Sequence, residues 1–63
     1  MILTKRQIID IALKESVENV NSKAYNRMLM RIFSYPEIDF IQMIHKELNW
    51  SLEPIRKNTY IVK

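Results

Sequence analysis

Glycine and cysteine are absent from this 63-residue chain, and only one histidine is present. Without glycine there can be no glycine-rich phosphate loop, no dinucleotide fingerprint and no glycine-centred nucleophile elbow. Without cysteine there is no disulfide, and a single histidine argues against a structural zinc site. A domain this small is marginally stable, so we expect its stability to come from helix packing, helped by a second copy or a partner.

Long apolar runs and a secretory leader are also missing. Met1 and the two apolar residues after it are followed at once by Thr4, Lys5 and Arg6, whereas a leader continues into an apolar stretch. No run approaches the roughly 20 apolar residues that span a bilayer. The lack of cysteine fits a reducing compartment, so we expect a cytoplasmic protein that does not associate with a membrane.

Hydrophobic residues make up 48% of the chain, which is enough for a packed core in one domain covering residues 1–63. The spacing of these residues predicts three helices, at about 4–18, 21–33 and 35–48. The third is the most hydrophobic and is expected to be central. Residues 50–62 are rich in strand formers. They predict either a short β-hairpin with a basic tip or an extended tail. The fold class is mainly α, a three-helix domain of helix-turn-helix type with a short C-terminal hairpin.

Capping residues mark the starts of the predicted helices. Thr4 and Gln7 have the spacing of a capping box. Ser34 and Glu37 have the same spacing at the third helix, but the residue before a proline resists helical angles, so Tyr35 is an alternative cap. Because glycine is absent, asparagine is expected where the chain breaks. These positions are Asn19, Asn21, Asn49 and Asn58.

No group of residues has the spacing of a catalytic site. His45 lies among apolar neighbours on the third helix, and we expect it to be packed or half-buried. Glu37 and Asp39 are the closest carboxylates, but residues two apart on a helix point in different directions. Both suit a first helical turn, where negative charge offsets the helix dipole. We therefore expect a protein that is not an enzyme and needs no cofactor or metal.

The main candidate site is the second predicted helix, because residues 19–36 contain no acid. Cations recur there every four residues and so lie along one side of the helix. The outward face is expected to carry Ser22, Lys23, Asn26, Arg27, Met30 and Arg31. Lysine and arginine bind phosphates or guanine, and asparagine pairs with adenine. Arg56 and Lys57 add a second basic pair at the expected hairpin tip.

This outline is similar to that of a winged-helix domain, in which helices are followed by a β-hairpin. In such domains the third helix usually enters the DNA groove. Here the third helix carries Glu37, Asp39 and Glu47 against Lys46, so it is too acidic and too apolar for that role. If DNA is bound, the second helix is the better candidate to contact it.

Three interpretations of the basic face remain open. The leading one is a transcriptional regulator that binds DNA through the second helix, assisted by Arg56 and Lys57. The alternative is a modulator that docks on a larger protein such as a repressor, polymerase or enzyme. Ile11 and Met30 fall outside the apolar stripes of their helices, and we expect them to anchor such an interface or a homodimer. The third interpretation is a solvated face without a ligand.

Overall fold

The computed structural model describes residues 1–16 and 21–63, which form three helices and three strands. In chain order these are β1 (Ile2–Thr4), α1 (Lys5–Ser16), α2 (Ser22–Phe33), α3 (Glu37–Leu48), β2 (Leu52–Arg56) and β3 (Thr59–Val62). The protein is mainly α with a small antiparallel sheet. The three helices are confirmed, and their described ends lie within two residues of the predicted bounds. The predicted end of the first helix near residue 18 and the break at Asn19 lie outside the described residues.

The C-terminal β-hairpin is confirmed, and the sheet has a third strand that the sequence did not predict. The strand order is β1-β3-β2, so β3 is central and pairs antiparallel with both neighbours. Tyr60 on β3 lies opposite Leu3 on one side and Pro54 on the other. Proline is tolerated here because β2 is an edge strand. β1 was missed because three residues are too few to show the alternation of a strand.

The core is centred on α1, which contacts α2, α3 and β1. The buried hydrophobic residues are Ile8, Ile9, Ala12 and Leu13 of α1, Leu29 of α2, Phe40 and Ile44 of α3, and Leu52 and Tyr60 of the sheet. The prediction that the third helix is central is therefore wrong. Part of the apolar surface of α3 faces outward, since Ile38 is 65% exposed. Helix hydrophobicity alone does not show which side an element packs on.

Among the described residues, Lys5 is the only charged one that is buried, with 6% of its surface exposed. Its Nζ atom donates a hydrogen bond to the Tyr35 carbonyl oxygen at 3.1 Å. The same atom lies 5.3 Å from the ring centroid of Phe33 and 5.1 Å from that of Phe40. The carbonyl dipole and the two ring faces compensate the ammonium charge. Lys5 thereby ties the start of α1 to the connection between α2 and α3.

The predicted caps of the first two helices are confirmed. The Gln7 backbone N–H donates to the Thr4 hydroxyl at 3.2 Å, and the Thr4 backbone N–H donates to the Gln7 side chain at 2.8 Å. This is a complete capping box. At α2, the side-chain oxygen of Asn21 accepts a hydrogen bond from the Ala24 backbone N–H at 2.8 Å. Local hydrogen bonds therefore fix where both helices begin.

Both predicted caps of the third helix are wrong. The N-cap is Pro36, in an extended conformation and without a side-chain hydrogen bond. Ser34 is instead the C-cap of α2, and its hydroxyl donates to the Arg31 carbonyl oxygen at 2.7 Å. The proline ring disfavours helical angles at Tyr35 and cannot donate a backbone hydrogen bond itself, so the helix starts after it.

Asparagine takes the place of glycine where the chain needs a left-handed residue. Asn49 ends α3 with φ 57° and ψ 32°, and Asn58 in the hairpin turn also has φ 57°. Asparagine tolerates this region better than most other residues. Two of the predicted asparagine positions are thus confirmed as left-handed breaks, while Asn21 serves as an N-cap.

The buried phenol of Tyr60 predicts a stability that depends on pH. Burial raises the pKa of Tyr60 above its ordinary value of 10.0, and the nearby Glu37 carboxylate raises it further. The folded state therefore holds this proton more tightly, so its contribution is full below about pH 10 and is lost as pH rises through the folded pKa. We expect the free energy of unfolding in urea to fall above pH 10. The fall should be shallower in Tyr60→Phe, and an identical fall in both proteins would contradict this.

Candidate nucleic-acid interface

Among the described residues, α2 contributes fewer buried side chains than either of the other helices. Within residues 21–63 the only buried residue that it contributes is Leu29, on the side that packs against α1. The residues predicted for its outward face are all exposed: Ser22, Lys23, Asn26, Arg27, Met30 and Arg31. The helix therefore brings three cations, one amide, one hydroxyl and one thioether together on a single solvent-facing surface. We call these six residues the basic face.

The cations of the basic face have no acidic partner in the part of the chain that the structure describes. The ion pairs there join Lys14 to Asp10 at 3.1 Å and Lys63 to Glu53 at 3.0 Å. Neither involves α2, whose first turn also carries no acid. The positive charge of the basic face is therefore not neutralised by any side chain in residues 1–16 and 21–63, and it attracts anions.

The hairpin tip carries the second predicted pair of cations. Arg56 ends β2 and Lys57 begins the turn, and both side chains are exposed. The carbonyl oxygen of Asn58 accepts a hydrogen bond from the Lys5 backbone N–H at 2.8 Å. The tip is thus held against the start of α1.

A groove between α1 and α2 adds Arg6 to this surface. Arg6 precedes Asp10 by four residues, which is the spacing of an ion pair on a helix. Two adjoining cavities of about 290 Å³ and 430 Å³ share Arg6, Asn26 and Leu29 in their walls. Arg6 is exposed and lies across the groove from Asn26. The sequence contained one feature that sets Arg6 apart. Basic residues are unfavourable in the first turn of a helix, and α1 has no acid there.

The exposure of three residues, Ile11, Met30 and His45, can be compared with the exposure expected from the sequence. Ile11 is half-buried, less exposed than expected, and its role as an interface anchor stays a prediction. It follows the buried Ile8 by three residues, and such neighbours share a helix face. Met30 is 65% exposed, as predicted. His45, expected to be packed or half-buried, is exposed. It is rotated about 100° from the buried Ile44 and falls beyond the rim of the packed side.

Within the described residues, no three histidine, aspartate or glutamate side chains converge in a group that could hold a metal ion. No helix in residues 1–16 and 21–63 is long and apolar enough to cross a bilayer. Comparison with known protein families, with curated proteins and with solved structures found no match.

Proposed function

We propose that the protein is a small DNA-binding regulator that places α2 in the major groove of duplex DNA. The observation that supports this is the exposed, acid-free basic face, whose cations have no ion-pair partner among the described residues. An α-helix is about 10–12 Å across, and the major groove is about 12 Å wide. A helix of 12 residues is roughly 18 Å long, so the basic face can follow the groove over its length.

The chemistry of each residue suggests a role in this complex. Lys23, Arg27 and Arg31 would contact phosphates, or guanine where the geometry allows two hydrogen bonds. Asn26 would pair with adenine, and the hydroxyl of Ser22 at the start of α2 would donate to a phosphate. The basic pair at the hairpin tip would contact the DNA backbone beside the groove, as a wing does. The phosphate contacts supply affinity, and Asn26 would supply sequence preference.

The test is the salt dependence of binding to a labelled random-sequence duplex, measured by fluorescence anisotropy. Each phosphate contact contributes about 0.9 to the slope of log affinity against log salt. Three contacts from α2 alone predict a slope of about −2.7, which is roughly a 40-fold loss between 50 and 200 mM salt. No binding at the lowest salt concentration would overturn the proposal.

A second candidate is a modulator that docks on a larger protein, and the exposure of Met30 favours it. This thioether is 65% exposed at the edge of the groove, and methionine suits an adaptable protein contact. Such a complex should respond only weakly to salt if its centre is apolar. Met30→Ser, which removes the apolar contact without adding a charge, should weaken it strongly. Phosphate contacts with DNA do not require the thioether and should survive that substitution.

A further inference from the structure

From the groove between α1 and α2 we infer that Arg6 is an additional phosphate-binding residue, and that it joins the hairpin tip and the basic face into one DNA-backbone contact. This inference rests on the proposed function and names the ligand more closely as B-form duplex DNA. It assigns a role to the exposed side of α1, whose buried side lies at the centre of the core.

First, the guanidinium of Arg6 is not engaged elsewhere. Its helical neighbour Asp10, expected to pair with it, is occupied on both sides. The Asp10 carboxylate forms an ion pair with Lys14 at 3.1 Å and accepts a hydrogen bond from the Tyr25 hydroxyl. Within residues 1–16 and 21–63, Arg6 forms no ion pair and no side-chain hydrogen bond. An exposed arginine in this state keeps all of its donors available to a ligand.

Second, a matching polar group lies across the groove. Asn26 is exposed, and its amide makes no hydrogen bond within the described part of the chain. Leu29 and Phe33 line the groove below with apolar surface. Gln7, the next polar residue of α1, is already committed to the capping box with Thr4. Two convergent polar groups above an apolar floor are a common arrangement for a binding site.

Third, we assign the contact to the Arg6 side chain, because two of the backbone donors in the first turn of α1, those of Lys5 and Gln7, are already used. The Lys5 N–H donates to Asn58 at 2.8 Å, and the Gln7 N–H donates to Thr4 at 3.2 Å. The bond between Lys5 and Asn58 also brings two cations near each other. Arg6 follows Lys5 in α1, and Lys57 precedes Asn58 in the hairpin turn. Arg6 therefore lies next to the residue that holds the hairpin tip, and its side chain lines the groove that borders the basic face.

Fourth, the proposed arrangement favours one kind of nucleic acid. It places α2 in a groove and the cations of α1 and the hairpin beside it, so it requires a duplex whose groove is wide enough for a helix. The major groove of B-form DNA does so, whereas that of A-form RNA is deep and narrow. We therefore expect duplex DNA to bind more tightly than duplex RNA of the same sequence.

The experiment compares Arg6→Gln with Lys46→Gln in the full chain. Lys46 is an exposed cation on α3, so this control removes the same charge from outside the proposed surface. Arg6→Gln should weaken duplex binding about tenfold at low salt, because a hydrogen bond to a charged group is worth about 1.5–3 kcal/mol. It should also make the salt slope shallower by about 0.9, while Lys46→Gln leaves the slope unchanged. Arg6→Lys, which keeps the charge, should restore most of the slope.

The outcomes separate the inference from the proposed function. If the unmodified protein does not bind DNA, the proposed function fails and the inference fails with it. If the protein binds but Arg6→Gln behaves like Lys46→Gln, the role of Arg6 is wrong while DNA binding through α2 stands. Equal affinity for duplex RNA would overturn the assignment of B-form DNA. Circular dichroism of each variant shows that the helices are retained.

Discussion

Replacing Lys23 and Arg27 by glutamate should abolish DNA binding and leave the fold intact. Both side chains lie on the exposed face of α2, and neither takes part in an ion pair within the described residues. Each substitution removes a cation and places an anion at a distance where it repels the DNA backbone. Two lost contacts to charged groups, at about 1.5–3 kcal/mol each, predict a loss of affinity of at least roughly 100-fold.

The matched control for this double variant is Lys46→Glu combined with Lys63→Glu. It changes the net charge by the same amount at exposed positions on α3 and after β3, and the ion pair with Glu53 that it removes at the surface is worth at most about 1 kcal/mol. Anisotropy measures binding, and thermal unfolding followed by circular dichroism checks the fold. The DNA interpretation is wrong if the Lys23 and Arg27 variant binds as tightly as the unmodified protein.

Removing the ring of Phe40 should unfold a large fraction of the protein at 25 °C. The residue is fully buried, its ring centroid lies 5.4 Å from that of Tyr60, and it faces the Lys5 ammonium at 5.1 Å. Phe→Ala in a core costs about 3–5 kcal/mol. The total stability expected of a chain this size is only about 3–9 kcal/mol. The substitution also removes one of the two rings that compensate the buried charge of Lys5.

Urea unfolding measures this effect, with Ile38→Ala as the control on the same helix. Ile38 is 65% exposed, so its truncation should change stability by no more than about 0.5 kcal/mol. Phe40→Leu should fall between the two, because leucine refills part of the space that alanine leaves empty. If Phe40→Ala lost less than about 1 kcal/mol, the core would be able to close around the cavity, and the role given to this ring would be incorrect.

The sequence predicted the helices because their signals are local. The spacing of apolar residues and the caps at Thr4 and Asn21 lie within a few residues of the structure that they determine. Features that depend on tertiary packing were harder to predict from the sequence. β1 forms only because β3 lies beside it, and the central position of α1 depends on which side chains the other elements cover. The third-helix cap was misjudged because two local rules conflicted there, and the restriction before Pro36 was the stronger.

In the candidate site, too, local features were predictable from the sequence and tertiary features were not. The exposure of the basic face was predictable from helical periodicity, since hydrophobic residues occupied the opposite side of α2. For Arg6 the sequence offered only the signal of a cation in a first turn without an acid, because its contribution also depends on how α1 and α2 pack and on Lys14 and Tyr25 occupying Asp10. The burial of Lys5 could not be predicted from the sequence either. It requires Phe33, Tyr35 and Phe40, all distant in sequence, to meet around one ammonium group.

The pairing of β1 with β3 also has a consequence for the order in which the chain folds. Ile2 lies opposite Ile61, so the contact closes a loop of about 60 residues, whereas the helices and the hairpin form from neighbouring residues. The entropy of closing a long loop is recovered only once both ends are structured. We therefore expect β1 to join last. Until it does, the hairpin tip is not held beside α1, so an intermediate with all three helices formed would still lack the continuous basic surface.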